Sequence, residues 1–117
     1  MFRRTRMPDA DGFYDTGINP ASLRPGEMIR VKINDRVVVL TKSIDGVMSF
    51  DDTCPHGAAS LSKGSLRKYR VSCPDHGYCF DIQSGQIAWP EDEFYRLSVY
   101  KVKIEDGKIQ LRLEGSG

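Results

Sequence analysis

Apolar and polar residues alternate along several short segments of this chain, as they do in β-strands that bury one face. Residues Met28–Ile33 follow this alternation, and we expect Arg30 and Lys32 to lie on the exposed face. The segment Arg36–Thr41 contains a continuous apolar run, which is typical of a more fully buried strand. Residues Asn19–Leu23 predict one helical turn capped by the asparagine, and no longer helical periodicity is present.

Short turn signals between these segments predict β-hairpins. Asn34-Asp35 is expected to connect the first two strands. Asp45-Gly46 is a stronger signal, because both central positions of a type I′ turn require positive φ, and it predicts a strand at Val47–Phe50. Asp106-Gly107 is expected to turn the chain between two alternating segments near the C-terminus. The apolar residues expected to face the core in that hairpin are Tyr100, Val102, Ile104, Ile109, Leu111 and Leu113.

The middle of the chain, at about residues 51–90, has a different character. It is rich in Gly, Pro, Ser and Cys, and only Arg70–Ser72, Cys79–Ile82 and Gln86–Trp89 have the pattern of strands. A loop-rich segment needs more than apolar burial to hold it together, and a bound metal would supply that stability. We therefore predict an all-β single domain over residues 1–117, built of antiparallel sheets, with a loop-rich subdomain at about 51–90.

Composition and charge exclude several functional classes. The formal net charge of +1 over 117 residues gives no electrostatic case for binding nucleic acid or a membrane surface. No apolar run approaches a length of about 20 residues, which a bilayer-spanning helix needs. Met1–Asp11 has no apolar stretch like that of a signal peptide, and Arg3, Arg4 and Arg6 predict a solvated tail. We therefore expect a cytoplasmic protein whose three cysteines do not form a disulfide framework.

Two short segments carry the chemistry of the chain. Each of them, Cys54-Pro55-His56-Gly57 and Cys73-Pro74-Asp75-His76-Gly77, combines one thiol and one imidazole with turn-forming Pro and Gly. Together they contain both histidines and two of the three cysteines. Four such side chains in two matched loops indicate a metal centre. The candidate ligands are Cys54, His56, Cys73 and His76.

The mixed pairing of the ligands distinguishes between two kinds of metal centre. Structural zinc sites usually pair like with like, from C-x₂₋₄-C and H-x₃₋₅-H, whereas each loop here pairs Cys with His. In a dinuclear cluster, neighbouring ligands of one loop reach different metals, so the single-residue spacer between Cys54 and His56 becomes favourable. Proline after each cysteine fixes φ, and glycine after each histidine allows a tight turn. A dinuclear centre is the better interpretation, and a zinc-binding interaction module remains an alternative.

The pattern C-x-H…C-x-x-H with these Pro and Gly neighbours resembles the signature of the Rieske [2Fe–2S] proteins. The resemblance covers most of the chain and implies a Rieske-like β fold with one [2Fe–2S] cluster per chain. It assigns Cys54 and Cys73 to the inner iron, and His56 and His76 to the outer iron. It also places Ile87–Pro90 in a third loop that shields the cluster.

Four positions differ from the high-potential members of that family, the Rieske proteins of quinol-oxidising complexes. Ala59 and Asp75 stand where those proteins have two cysteines that join the ligand loops by a disulfide. Tyr78 and Phe80 stand where they have a serine and a tyrosine that donate hydrogen bonds towards sulfur. Because such hydrogen bonds stabilise the reduced cluster, their loss implies a potential near the low end of the Rieske range, about −150 mV. Phe80 is expected to be a packing residue instead, and Cys79 a small buried apolar residue.

The resemblance implies electron transfer rather than catalysis. Rieske oxygenases need a mononuclear iron held by two histidines and a carboxylate, but both histidines of this chain are already used. The G-x-G-x-x-G motif of flavin- and nicotinamide-binding proteins is absent from the sequence. We therefore expect a monomeric electron carrier, not an enzyme, between a flavin-dependent reductase and a terminal oxygenase of the aromatic ring-hydroxylating type. The small Rieske-like subunit of a nitrite reductase is the alternative within the same family.

Overall fold

Short strands arranged in two antiparallel sheets form the framework of residues 7–113, the part of the chain that this computed structural model describes. In chain order the strands are β1 (Phe13–Asp15), β2 (Met28–Ile33), β3 (Arg36–Ser43), β4 (Gly46–Asp51), β5 (Ser65–Arg67), β6 (Arg70–Ser72), β7 (Cys79–Asp81), β8 (Ile87–Trp89), β9 (Val99–Glu105) and β10 (Lys108–Arg112). One sheet has the order β1-β10-β9-β4-β3-β2, and the other has the order β5-β6-β7-β8. The predicted all-β fold of antiparallel sheets is confirmed, and the arginines of the expected N-terminal tail lie outside the described residues.

The strand β2 has the predicted bounds and β3 runs two residues further than predicted, whereas β1 and the turn after β3 were not predicted correctly. Arg30 and Lys32 are exposed, as expected for the outer face of β2. The turn was predicted to have Asp45 and Gly46 at its centre, whereas Ser43 pairs with Gly46 and the two turn residues are Ile44 and Asp45. The Ser43 hydroxyl explains this register, because it accepts from the Asp45 backbone N–H at 3.1 Å and donates to the Gly46 carbonyl at 3.3 Å.

The C-terminal hairpin is confirmed with one correction. Asp106 and Gly107 both have positive φ, 54° and 73°, as the predicted turn requires. Ile109 and Leu111 are completely buried on the inner face of β10. Ile104 was expected in the core but is 54% exposed. The reason is that β4 pairs with β9 only near the start of β9, so the far end of β9 lacks that neighbour.

Helical structure in the described residues consists of two 3₁₀ turns, Pro20–Ser22 and Leu61–Lys63. The first was predicted, and the side chain of Asn19 caps it by accepting from the backbone N–H of Ala21 at 2.9 Å. The second was not predicted, and it follows the first of the two Cys/His segments. Within residues 7–113 no helix has the length and apolar character that crossing a membrane would need.

Two apolar cores explain why β3 is buried on both faces. The loop-side core lies between the two sheets and consists of Val39, Phe50, Cys54, Leu61, Val71, Cys73, Phe80, Ile82 and Leu97. The base core consists of Leu23, Val31, Ile33, Val38, Leu40, Tyr100, Ile109 and Leu111. Alternate residues of β3 therefore contribute to different cores. More apolar residues of the middle segment are buried than its sequence predicted. Its strands have only three residues each, so no alternation showed which side chains would face the core.

Candidate metal centre

The four candidate ligands lie in two loops at the same end of the smaller sheet. Residues 52–64, the first ligand loop, connect β4 to β5, and residues 73–78, the second ligand loop, connect β6 to β7. The Cys54 N–H donates to the Ala59 carbonyl at 2.8 Å, which closes the first loop around His56. The Cys73 N–H donates to the Tyr78 carbonyl at 2.7 Å and closes the second loop in the same way.

Left-handed backbone positions form the tight turns of both loops. In the second loop His76 and Gly77 have φ of 66° and 70°, so the glycine has the conformational role that the sequence predicted. In the first loop the positive φ of 62° is at Ala58 and not at Gly57, one residue later than expected. A non-glycine residue in this region costs about 1–3 kcal/mol and persists only where surrounding contacts hold it. The second loop therefore holds the imidazole of His76 through a strained backbone.

The thiols are paired with each other at the buried side of the site. Cys54 and Cys73 are 1% and 3% exposed and belong to the loop-side core. Burial, together with a hydrogen bond between the two side chains, raises the pKa of the Cys73 thiol to about 11. The Asp75 N–H, 3.4 Å from the Cys73 sulfur, acts in the opposite direction and favours the thiolate. A bound metal ion deprotonates such a thiol outright, so this pair has the chemistry of a metal-binding pair.

The imidazoles are paired with each other at the outer side. The ring centroids of His56 and His76 are 5.5 Å apart, with the ring planes at 85°. His76 is exposed and His56 is half-buried. The two sequence segments thus each contribute one buried thiol and one outer imidazole. Within residues 7–113, no group of three or more His, Cys, Asp or Glu side chains is arranged to bind a single metal ion.

One imidazole nitrogen of the site lacks a hydrogen-bond partner. Nδ1 of His56 is buried and has no hydrogen-bond partner among the described residues. A buried polar atom without a partner is costly, and metal coordination is one way to satisfy an imidazole nitrogen. Two thiols and two imidazoles are also the donor set of a Rieske [2Fe–2S] cluster. The residues present therefore fit that group.

Asp52 organises the first ligand loop, and the sequence analysis missed it. Its carboxylate is 4% exposed and accepts from the Ser60 hydroxyl at 2.6 Å, the Ser62 N–H at 2.9 Å and Arg30 Nε at 3.1 Å. Burial acts to raise the pKa of Asp52, but the hydrogen bonds from the two serines and the charge of Arg30 outweigh it, so the pKa lies below its usual value. The sequence offered one signal for this role, an aspartate two residues before the first ligand with serines eight and ten positions after it.

Gly64 allows the end of the first ligand loop to approach β6. A Cβ atom at this position would lie 1.8 Å from the backbone oxygen of Ser72. No side chain fits at that distance, so glycine is required by close approach of two backbones. This contact brings the end of the first loop against the strand that leads into the second.

Aromatic residues surround His56 on the outer side of the site. The Tyr78 ring stacks on the His56 ring, with centroids 3.8 Å apart and planes at 13°. Tyr95 meets the same imidazole edge-on at 5.5 Å and 82°. Tyr95 belongs to residues 90–98, the third loop, which connects β8 to β9. The expected third-loop segment Ile87–Pro90 is mostly strand, and the residue that reaches the histidine comes five positions after it.

The sequence also singled out Phe80 and Cys79, two neighbouring residues of β7. Phe80 is completely buried in the loop-side core, which confirms its packing role. Cys79 was expected to be a small buried residue, but it is half-buried and polar in its contacts, 3.2 Å from the Ser72 hydroxyl. The alternation of β7 explains this, because Phe80 takes the inward position and its neighbour faces outward. Cys54, Cys73 and Cys79 are all free of disulfides.

Comparison with known proteins adds independent information. The family model of the Rieske [2Fe-2S] domain matches residues 17–101. The ferredoxin component of the naphthalene 1,2-dioxygenase/salicylate 5-hydroxylase systems of Ralstonia sp is 31% identical over 90 residues, which cover 76% of this chain and 85% of that relative.

Two solved structures with related folds carry different descriptions. A chain in the complex of reduced oxygenase and oxidised ferredoxin of carbazole 1,9a-dioxygenase matches with a TM-score of 0.80 and 26% identity, over 91% of this chain and 97% of that one. A putative small subunit of an NADPH nitrite reductase matches with a TM-score of 0.69 and 25% identity, over 80% of this chain and 92% of that one.

Proposed function

Because the chain belongs to the Rieske [2Fe–2S] domain family, we propose that it is an electron carrier that delivers single electrons to a terminal oxygenase. The relative from Ralstonia is a ferredoxin component of a dioxygenase system, and the carbazole dioxygenase structure is a complex of ferredoxin with oxygenase. The acceptor in our proposal is accordingly an oxygenase that hydroxylates aromatic rings. The donor is a flavin-dependent reductase.

Cys54 and Cys73 hold the inner iron in this proposal, and His56 and His76 hold the outer iron. The observation that carries this assignment is the layering of the site, with paired thiols in the loop-side core and paired imidazoles outside them. The unpartnered Nδ1 of His56 supports it further. When bound, the cluster accepts and releases one electron, and its two thiolates and two neutral imidazoles make the oxidised form formally neutral.

The outer position of the histidines suits electron exchange with a partner. His76 is exposed, so a docked protein reaches this imidazole without any opening of the fold. The buried thiols are shielded by the loop-side core, which limits access of water to that side. We propose that electrons both enter and leave by way of the histidine side.

The chain as a whole is best described as one carrier unit. We propose a single domain over residues 1–117, with residues of about 51–90 forming the cluster-binding subdomain and with one cluster per chain. We also propose that it is a monomer and that it acts in the cytoplasm. The ferredoxin relatives support the soluble carrier role, since they are separate components of multi-component systems.

Similarity to the nitrite reductase subunit supports a second candidate function. In that case the chain is a permanently bound subunit of a larger reductase. Size-exclusion chromatography of the native protein from its own cells distinguishes the two. A carrier elutes near 13.2 kDa, whereas a subunit co-elutes with a much larger chain.

Reconstitution tests the proposed function directly. The purified chain, a flavin-dependent reductase and a candidate aromatic oxygenase are mixed with the electron donor of the reductase, and product is measured with and without the chain. The Cys54→Ser variant removes one proposed ligand, and Cys79→Ser is the matched control. We expect loss of visible absorption and of product formation for Cys54→Ser only. Equal loss in both variants contradicts the ligand assignment, and a colourless wild-type protein that binds zinc shows the interaction module instead.

A further inference from the structure

We infer that Tyr78 is a positioning residue of the metal centre, whose ring fixes the plane of the His56 imidazole and whose hydroxyl links the second ligand loop to the third loop. The inference rests on the proposed function, because it takes His56 as a ligand. It gives a role to a side chain that stands where the high-potential Rieske proteins have a serine. It also explains how the two ligand loops keep their relative positions without a disulfide.

The stack between Tyr78 and His56 has the geometry of a contact that orients a ring. The two planes are only 13° apart, with centroids at 3.8 Å, so the tyrosine covers one face of the imidazole. His76 and Tyr95 meet the same imidazole at 85° and 82°, both at 5.5 Å. One face contact and two edge contacts restrict rotation of the ring about its side-chain bonds. The direction in which Nδ1 of His56 points is thereby fixed.

Tyr78 also joins parts of the chain that are far apart in sequence. Its carbonyl accepts from the Cys73 N–H at 2.7 Å and closes the second ligand loop. Its hydroxyl donates to Oε1 of Glu93, in the third loop, at 3.2 Å. Its ring meets Trp89 edge-on, with centroids 6.3 Å apart and planes at 71°. A single side chain therefore contacts the first loop through His56, and also the end of β8 and the third loop.

A link of this kind matters because the loops are not covalently joined. Ala59 and Asp75 occupy the positions of the two disulfide cysteines in high-potential relatives, and the cysteines of the described residues are free. The backbone hydrogen bonds that close the two ligand loops each stay within one loop. The stack of Tyr78 on His56 crosses from one loop to the other. It thus performs without a covalent bond part of what the disulfide does in those relatives.

The test compares Tyr78→Leu and Tyr78→Phe in the full-length, cluster-loaded protein. Leucine removes the stack, and phenylalanine keeps it while removing the hydrogen bond to Glu93. Tyr14→Leu is the matched control, because Tyr14 is a partly buried tyrosine packed against the base core, away from the ligand loops. Three readouts are compared: the rate of loss of visible absorption in air, the nitrogen hyperfine couplings of the reduced protein, and the thermal unfolding midpoint.

We expect Tyr78→Leu to lose its cluster about 2- to 10-fold faster than wild type, in line with the strength of an aromatic pair. One of the two histidine nitrogen couplings should change in this variant, and Tyr78→Phe should restore it. Tyr14→Leu should lower the unfolding midpoint and leave both couplings as in wild type. If Tyr78→Leu cannot be purified with a cluster while the other two variants can, the inference is supported as well.

Wild-type couplings and wild-type cluster loss in Tyr78→Leu would overturn the inference. So would a Tyr78→Phe variant as defective as Tyr78→Leu, since the ring would then not be the part that matters. Failure of the proposed function would give a different result, because the wild-type protein itself would then show no cluster signal with nitrogen couplings. The two proposals can therefore fail separately.

Discussion

The carboxylate of Asp52 offers the sharpest test of how the first ligand loop is held. Its Oδ1 accepts from the Ser62 N–H, and its Oδ2 accepts from the Ser60 hydroxyl and from Arg30 Nε. The Asp52→Asn variant keeps the shape of the side chain but replaces one oxygen with an NH₂ group. Whichever way the amide turns, that NH₂ faces an N–H group that can only donate, Ser62 N–H on one side or Arg30 Nε on the other, so at least one hydrogen bond of the carboxylate is lost.

The expected cost follows from these contacts. A hydrogen bond to a charged group contributes about 1.5–3 kcal/mol. The side chain of Arg30 is 54% exposed, so its ion pair adds less than about 1 kcal/mol. We expect Asp52→Asn to lower the free energy of unfolding by about 2–3 kcal/mol. For a domain of this size the unfolding midpoint falls by about 8–12 °C.

The effect has a defined pH dependence. The folded pKa of Asp52 is lowered, so its contribution is fully present above the unfolded pKa of about 4 and is lost as the pH falls through the folded value. The difference between wild type and Asp52→Asn should therefore be constant from pH 7 to 5 and should narrow below about pH 4.

Thermal unfolding followed by far-UV circular dichroism at a fixed scan rate measures both effects on the cluster-loaded protein. Asp35→Asn is the control, because Asp35 is an exposed aspartate in the turn between β2 and β3. We expect this control to unfold within about 2 °C of wild type, since surface substitutions change stability by less than about 0.5 kcal/mol. An Asp52→Asn midpoint equal to that of the control would refute the reasoning, as would a difference that persists unchanged at pH 3.

Two further predictions concern the potential and the backbone. Potentiometry should give a value near the low end of the Rieske range, about −150 mV, because Phe80 has no hydroxyl and the hydroxyl of Tyr78 is used in the third loop; a potential well above zero would show that other donors reach the sulfurs. Gly64→Ala should be severely destabilising or fail to fold, because its Cβ would lie 1.8 Å from the Ser72 carbonyl oxygen, whereas Gly57→Ala meets nothing within 4 Å and should unfold like wild type. Similar expression and unfolding midpoints for the two alanine variants would contradict this explanation.

Local signals in the sequence were sufficient for much of the fold and for the candidate ligands. The strand Met28–Ile33 has the predicted bounds because its exposed face and its buried face give a clear alternation of polar and apolar residues. The Asp106-Gly107 turn depends only on its own two residues. The Cys/His segments were recognisable because the type and spacing of the ligands are defined by a few neighbouring residues in each segment.

Contacts between distant segments were the part that the sequence did not reveal. The carboxylate of Asp52, in the first ligand loop, contacts Arg30 of β2, and Tyr78 stacks on a histidine from a different loop. Neither contact follows from spacing. The first depends on the strand order of the larger sheet, in which β3 lies between β2 and β4, and the second depends on how the two ligand loops meet. Ile104 was assigned to the core by alternation alone, which cannot show that the neighbouring strand ends before it. The turn after β3 shifted by one residue because a serine hydroxyl, and not the preferred dipeptide, determined its register.

The central claim is that two cysteines and two histidines hold one [2Fe–2S] cluster. Low-temperature electron paramagnetic resonance of the dithionite-reduced protein, with nitrogen hyperfine couplings resolved and iron and sulfide quantified, tests it most directly. We expect a signal from one unpaired electron with couplings from two imidazole nitrogens, about two irons and two sulfides per chain, and loss of one coupling in His76→Cys. A silent, colourless protein with zinc, or an iron–sulfur signal without imidazole coupling, would contradict it.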